Sequence, residues 1–97
     1  MDVRIQAVNF EIADKLVDFI NKKADKLARR NPEIQSVDVY LKVAKAETAM
    51  NKEVTVKILA PHTGECVANK TADSFEEAYD LALEAIERQL AKDKEKR

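Results

Sequence analysis

The 97-residue chain has few of the residues that build cross-links, metal sites and nucleophilic centres. It contains one cysteine, Cys66, and one histidine, His62. A single thiol excludes an internal disulfide. Cys66 and His62, separated by "TGE" in a segment read as a turn, supply neither the four ligands of a structural zinc site nor the three of a catalytic one. They are expected to be a turn histidine and a small, half-buried thiol. The only glycine is Gly64, so no phosphate-cradling glycine loop exists, and neither a Ser/His/Asp set nor clustered metal ligands stand out. No apolar run approaches the roughly 18 residues of a membrane span. Residues 1–10, "MDVRIQAVNF", lack the basic start and unbroken apolar stretch of a signal peptide. These absences give the expectation of a cytoplasmic protein that is not an enzyme and carries no cofactor or metal.

What is present is amphipathic pattern. The chain is 45% hydrophobic and 36% charged, the composition of one soluble globular domain, with the thin stability margin of a small core. Residues 2–8, "DVRIQAV", alternate apolar and polar, the period of a half-buried strand. From about Ala13 to Arg30, apolar residues (Leu16, Val17, Ile20, Ala24, Leu27, Ala28) recur at helical spacing, and Asn31–Pro32 ends that helix because the residue before proline is pushed out of the helical region. "SVDVYLKVAK" (36–45) and "KEVTVKILA" (52–60) alternate again, joined by "ETAMN" as a hairpin connection. "PHTG" is a turn, and "ECVANKTA" a shorter, weaker fourth strand. A second long helix follows, opened by a capping box of Ser74 and Glu77, with an apolar stripe of Phe75, Tyr79, Ala82, Leu83, Ile86 and Leu90. The order β-α-β-β-β-α predicts an α+β two-layer sandwich: a four-stranded sheet with two helices packed on one face and the other face polar and exposed. Residues 1–97 form a single domain in this reading, and residues 93–97 are expected to fray.

A formal net charge of −1 hides a segregation. From Lys22 to Arg30 there are five bases and one acid, from Glu65 to Glu87 seven acids and one base, and from Arg88 onward five bases and two acids. Both basic clusters fall at helix C-termini, where cations complement the macrodipole, so a charged helix end is a sufficient account of the pattern taken alone. At about 100° per residue, Arg88 and Lys92 share one edge of the second helix. Glu76, Asp80, Glu84 and Glu87 lie on what is read as the opposite flank of the apolar stripe. Lys22, Lys26, Arg29 and Arg30 form a row on the first helix. If the helices lie side by side, the basic rows join into one patch, which a polyanion senses more than the overall charge because screening confines the field to about 8 Å. RNA is the natural partner, since backbone contacts by Lys and Arg give affinity without sequence reading.

These residues also resemble a family. "VRIQAVNFEIADKLVDFINKK" is similar to the opening strand, helix start and paired lysines of the short ribosome hibernation promoting factors, the ribosome-associated translation inhibitors of sigma-54 modulation type. "SVDVYLKV" is similar to that family's second strand, "PHTGECVA" to its glycine turn and short fourth strand, and "DSFEEAYDLALEAIERQLAKDKEK" to its acidic helix start and basic ending. The resemblance spans nearly the whole chain. It implies binding to the small ribosomal subunit and its 16S rRNA, in the mRNA and tRNA channel near the decoding region, with inhibition of translation in non-growing cells. It implies rRNA contacts by Lys22, Lys23, Lys26 and Arg29 on the first helix and by Arg88, Lys92 and Lys94 on the second. It further implies that the chain lacks the C-terminal dimerisation domain of the long form, so that any pairing of ribosomes needs a second factor. Ala13 stands where the family often has a capping Thr. Ala85 and Ala91 stand where many members carry lysine, which thins the second-helix patch. The rival reading from the sequence is a protein-interaction module using the polar sheet face or the acidic helix edge.

Overall fold

The computed structural model describes residues 2–8, 10–44, 51–61 and 64–95, the side chains of 93–95 excepted. The elements are β1 (Asp2–Val8), α1 (Asp14–Arg30), β2 (Ser36–Val43), β3 (Lys52–Ala60), β4 (Gly64–Ala72) and α2 (Phe75–Glu95). This is the expected α+β order. The sheet runs β1-β2-β3-β4. β1 pairs in parallel with β2, and the β2–β3 and β3–β4 pairs are antiparallel. The "ETAMN" connection and His62 lie largely or wholly outside the described residues.

Period-2 patterning decides which sheet face is buried. Val37, Val39 and Leu41 of β2 lie in register with Ile58, Val56 and Val54 of β3, and all six are fully buried. Cys66, Ala68 and Ala72 continue that face onto β4, while Val3 and Ile5 bring it to β1. The helices cover it with Leu16, Ile20, Ala24 and Leu27 from α1 and with Tyr79, Ala82, Leu83, Ile86 and Leu90 from α2. Burial of this kind is worth about 25 cal/mol per Å² of apolar surface and carries most of the stability of a domain this small. The opposite sheet face is exposed. It carries the Arg4–Asp38 and Lys57–Glu65 ion pairs at 3.8 and 3.2 Å and an Asn69 Nδ2 to Thr55 Oγ1 hydrogen bond of 2.7 Å. It also exposes Tyr40, Leu59 and Val67.

Two readings from the sequence change. β4 is nine residues long, as long as β3, and pairs with it along its whole length. The alternation weakens at Lys70, but backbone pairing rather than side-chain pattern holds the strand. Gly64 opens β4 at φ +79°, a conformation that glycine adopts without steric cost. Cys66 is fully rather than half buried, because it lies opposite Ile58 on the inward face.

The helix ends follow local chemistry. Ser74 Oγ accepts from the Glu77 amide at 3.1 Å, the first half of the capping box. α1 ends at Asn31, whose amide and Nδ2 both donate to the Leu27 carbonyl, at 3.0 and 3.1 Å. That pairing explains why this polar residue is tolerated in the interior. α2 continues to Glu95, and Gln89 Nε2 on its flank donates to the Val67 carbonyl on edge strand β4 at 3.2 Å.

Between the helices, the buried Tyr79 hydroxyl donates to the Ile20 carbonyl at 3.0 Å. Its ring meets Phe19 edge-on at 6.1 Å between centroids. Phe10 stacks on Phe75 at 5.1 Å near the start of α2. Burial pushes the Tyr79 phenol well above its ordinary value, with a further push from the Asp80 carboxylate.

Two predictions follow from these ends and this bridge. Ala13 has the extended backbone of an N-cap (φ −71°, ψ 147°) but no side-chain cap. Ala13→Ser or Ala13→Thr therefore raises stability by about 1 kcal/mol in chemical denaturation, and the melting temperature by about 4–8 °C. Tyr79→Phe removes the bridge to Ile20 and costs about 1–2 kcal/mol at neutral pH. Because folding raises the Tyr79 pKa, the unfolded chain ionises first, and the hydroxyl's contribution, intact below about pH 10, is lost as pH rises. The stability gap between wild type and Tyr79→Phe should narrow by roughly 1 kcal/mol between pH 9 and pH 11 in urea titrations.

Candidate nucleic-acid interface

The direction of the helices decides where the basic clusters meet. α1 returns the chain between two parallel strands, so it runs opposite to β1 and β2. Two antiparallel steps make β4 parallel to β2, and α2 turns back over β3 and β4. The helices are therefore parallel to each other. Two ion pairs display this directly: Lys23 Nζ to Asp80 Oδ1 and Arg30 Nη1 to Glu87 Oε1, both at 3.4 Å. The partners advance together along the two helices, by a step that corresponds to about 10.5 Å of axial rise. Both C-terminal basic clusters thus lie at the same end of the molecule, and the aromatic contacts lie toward the other.

The structure brings the expected residues together only in part. Lys22 and Arg29 are exposed on the outer side of α1, and Lys26 is exposed at the edge of the cleft between the helices. Lys23 is half-buried, paired with Asp80 and seated 5.5 Å from the centre of the Phe19 ring. Arg88 and Lys92 are exposed on α2. Lys94 lies within the described helix, but its side chain is not among those described. Ala91 is exposed beside Arg88, in a shallow depression that Glu84 and Glu87 also line. Ala85 is half-buried against the core.

The expectation that the two basic rows join is corrected. The flank of α2 that faces the α1 bases is the acidic one. Lys23, Lys26 and Arg30 form one wall of an open interhelical groove, Asp80, Glu84 and Glu87 the other, and Leu27 and Leu83 its floor. Arg88 does not sit on a flank opposite these acids, whereas Lys92, four residues on, is turned about 40° farther from them. One helical turn beyond Glu84, Arg88 rides the outward crest of α2, next to the acidic wall. An acidic seam therefore separates the α1 bases from the α2 bases along the groove, and the two sets share a face and an end rather than a continuous row.

Arg30 was read from the sequence as part of the first-helix row but not as an rRNA contact, and the acidic flank was not read as facing it. The signal that finds them is the strand topology combined with helix phase. Once α2 is known to run parallel to α1 with Tyr79 and Ile86 inward, the positions at 80, 84 and 87 must fall on the α1 side.

No group of three or more metal-ligating side chains occurs among the described residues, and no helix among them is long and apolar enough to cross a membrane. The interhelical depression formed by the described residues is open and lined by charged side chains. It offers charge on an exposed helical face.

Comparison with known proteins agrees with this fold and this emphasis on binding. The sequence profile described as Sigma 54 modulation protein / S30EA ribosomal protein matches residues 3–97. The chain is 32% identical over 96 residues to the ribosome hibernation promoting factor of Azotobacter vinelandii, covering 99% of this chain and 85% of that protein. It is 31% identical over 96 residues to the factor of the same name from Pseudomonas putida, covering 99% and 89%. Its fold is similar to that of a ribosomal subunit interface protein from Coxiella burnetii, with a TM-score of 0.85, 21% identity and coverage of 97% and 98%. It is also similar to the N-terminal domain of Thermus thermophilus Protein Y, with a TM-score of 0.75, 22% identity and coverage of 92% and 94%. With a profile match over almost its full length, and the curated relatives matched over nearly all of it, the chain belongs to the Sigma 54 modulation protein / S30EA ribosomal protein family of non-enzymatic ribosome hibernation factors.

Proposed function

We propose that this protein binds the small ribosomal subunit through the outer face of its two helices, contacting 16S rRNA in the mRNA and tRNA channel near the decoding region. By occupying that channel it inhibits translation in non-growing cells, acting in the cytoplasm as a hibernation factor. The observation that carries this reading is the parallel alignment of α1 and α2, which brings Lys26, Arg29, Arg88 and Lys92 toward one end of one exposed face, with Lys22 nearer its middle. The names of the relatives support the ribosome as the partner. Lys23 and Lys94 belong to the same proposed surface. Contacts of this kind neutralise phosphates and release counterions, so they give affinity that falls steeply with salt. Their geometry suits RNA recognised by its backbone and shape.

Co-sedimentation with purified small subunits tests the reading. Lys26→Glu combined with Arg88→Glu should weaken binding by at least tenfold at about 0.1 M salt, with the loss shrinking as salt rises. An unchanged affinity means the assigned face is wrong, and binding insensitive to salt points instead to a protein-interaction module. Ala91→Lys adds a cation beside Arg88 on the exposed crest and should tighten binding by about threefold at low salt, without a change in denaturation midpoint.

A further inference from the structure

The charge of the interhelical groove has a consequence for affinity that is separate from the location of the site. Its walls carry three cations, Lys23, Lys26 and Arg30, and three carboxylates, Asp80, Glu84 and Glu87. Two of the cations are held by carboxylates at 3.4 Å, and all these side chains remain partly or largely exposed. Lys26 makes no ion pair with any described residue. Formally the groove is neutral, although it lies in the middle of the face proposed to meet a polyanion. Exposed ion pairs of this geometry contribute little to stability, and the helices are already joined through the core and the Tyr79–Ile20 hydrogen bond. These acids therefore contribute little to the stability of the fold.

We propose that Asp80, Glu84 and Glu87 are affinity-setting residues: an acidic wall that occupies the α1 cations and repels phosphate, so that this protein binds its polyanion weakly enough to be released. The inference rests on the polyanion-binding reading above and adds to it a regulatory element that lies within the binding face. In the free protein Lys23 and Arg30 are satisfied by carboxylates. An approaching phosphate must compete for them and must also come close to Glu84, which has no compensating cation within ion-pair distance among the described residues. The phosphates that bind best are those contacted by the outward cations, Lys22 and Arg29 on α1 and Arg88 and Lys92 on α2, to either side of the groove. Weakened binding has a physical use in a reversible blocker, because a small change in salt, in competing ligand or in the state of the partner then shifts occupancy.

The magnitude is accessible. A carboxylate about 7 Å from a bound phosphate opposes it by an amount near the thermal energy in water before screening, a factor of about two to three in affinity. Removing two such charges should therefore tighten binding by about three- to sevenfold at low salt. It should also release two cations for phosphate contact. Each phosphate neutralised adds about 0.7 to 0.9 to the slope of log affinity against log salt, so the slope should steepen by about one to two.

The test is a salt titration of small-subunit binding by wild type and by Asp80→Asn/Glu87→Gln, with Glu84→Gln measured alone. Denaturation midpoints confirm that each variant is folded. Tighter binding and a steeper salt slope for the double variant, with a smaller gain for Glu84→Gln, support the proposal. Unchanged affinity overturns it. Weaker binding also overturns it, because the carboxylates would then be holding Lys23 and Arg30 in place for phosphate rather than competing for them. Retention of the same variants on mixed-sequence duplex RNA separates this inference from the choice of ribosome as partner. If wild type binds the duplex but not the subunit, the ribosomal reading fails while the acidic wall is still judged by the variants' gain on RNA. If neither wild type nor variants bind either polyanion, both fall.

Discussion

The parallel pairing of β1 with β2 is the constraint on which the rest of this molecule depends. Parallel neighbours cannot be joined by a tight turn, so the chain must return across the sheet, and α1 is that return. The following strands add antiparallel neighbours until β4 again points the way β2 does. α2 is then obliged to run alongside α1 in the same direction. The relative direction of the two helices is thus set by hydrogen bonds in the sheet beneath them, not by any preference of the helices for each other.

From that direction follow both the shape of the core and the distribution of charge. The inward stripes of the helices cover a sheet face built from Val37, Val39, Leu41, Val54, Val56 and Ile58. The aromatic residues Phe10, Phe19, Phe75 and Tyr79 join the helices toward their N-terminal halves. Further along lies a groove between the helices whose floor is Leu27 and Leu83 and whose walls are charged. Cations favoured at each helix C-terminus by the macrodipole are brought to one end because the dipoles are aligned. Aligned dipoles repel slightly. The ion pairs across the groove, Lys23–Asp80 and Arg30–Glu87, offset that repulsion locally. The arrangement that brings the helix-end cations together therefore also places carboxylates among them.

The same constraint accounts for what the surface does not do. An exposed helical face with mobile lysine and arginine heads holds a backbone of repeated charge well, because each contact is independent and tolerant of position. Among the described residues, the interhelical depression is an open groove and not an enclosed volume in which a small molecule is desolvated. The strongly shifted group among the described residues is Tyr79, which is inward and structural. Binding rather than catalysis is the behaviour consistent with membership of the Sigma 54 modulation protein / S30EA ribosomal protein family.

By itself, the sequence determined the elements and the side each one buries. Alternation at Val37–Val43 and Val54–Ile58, helical spacing from Leu16 to Leu27, Ser74 before Glu77, and Pro32 after Asn31 are local signals. Local backbone geometry and the burial of one face are enough to act on them. It also determined which helix ends are basic, and so Lys22, Lys26, Arg29, Arg88 and Lys92 were legible as exposed cations on the helices. The length of β4 was less legible, because ladder hydrogen bonds to β3 extend it past the point where its side-chain pattern fades. Nor could the sequence show that Asp80, Glu84 and Glu87 face α1 instead of lying away from its bases. That depends on the direction and phase of one helix against another, which local pattern does not encode. Only the tertiary structure, through strand order and the parallel β1–β2 pairing, decided that the basic residues of the two helices share an end while an acidic seam runs between them.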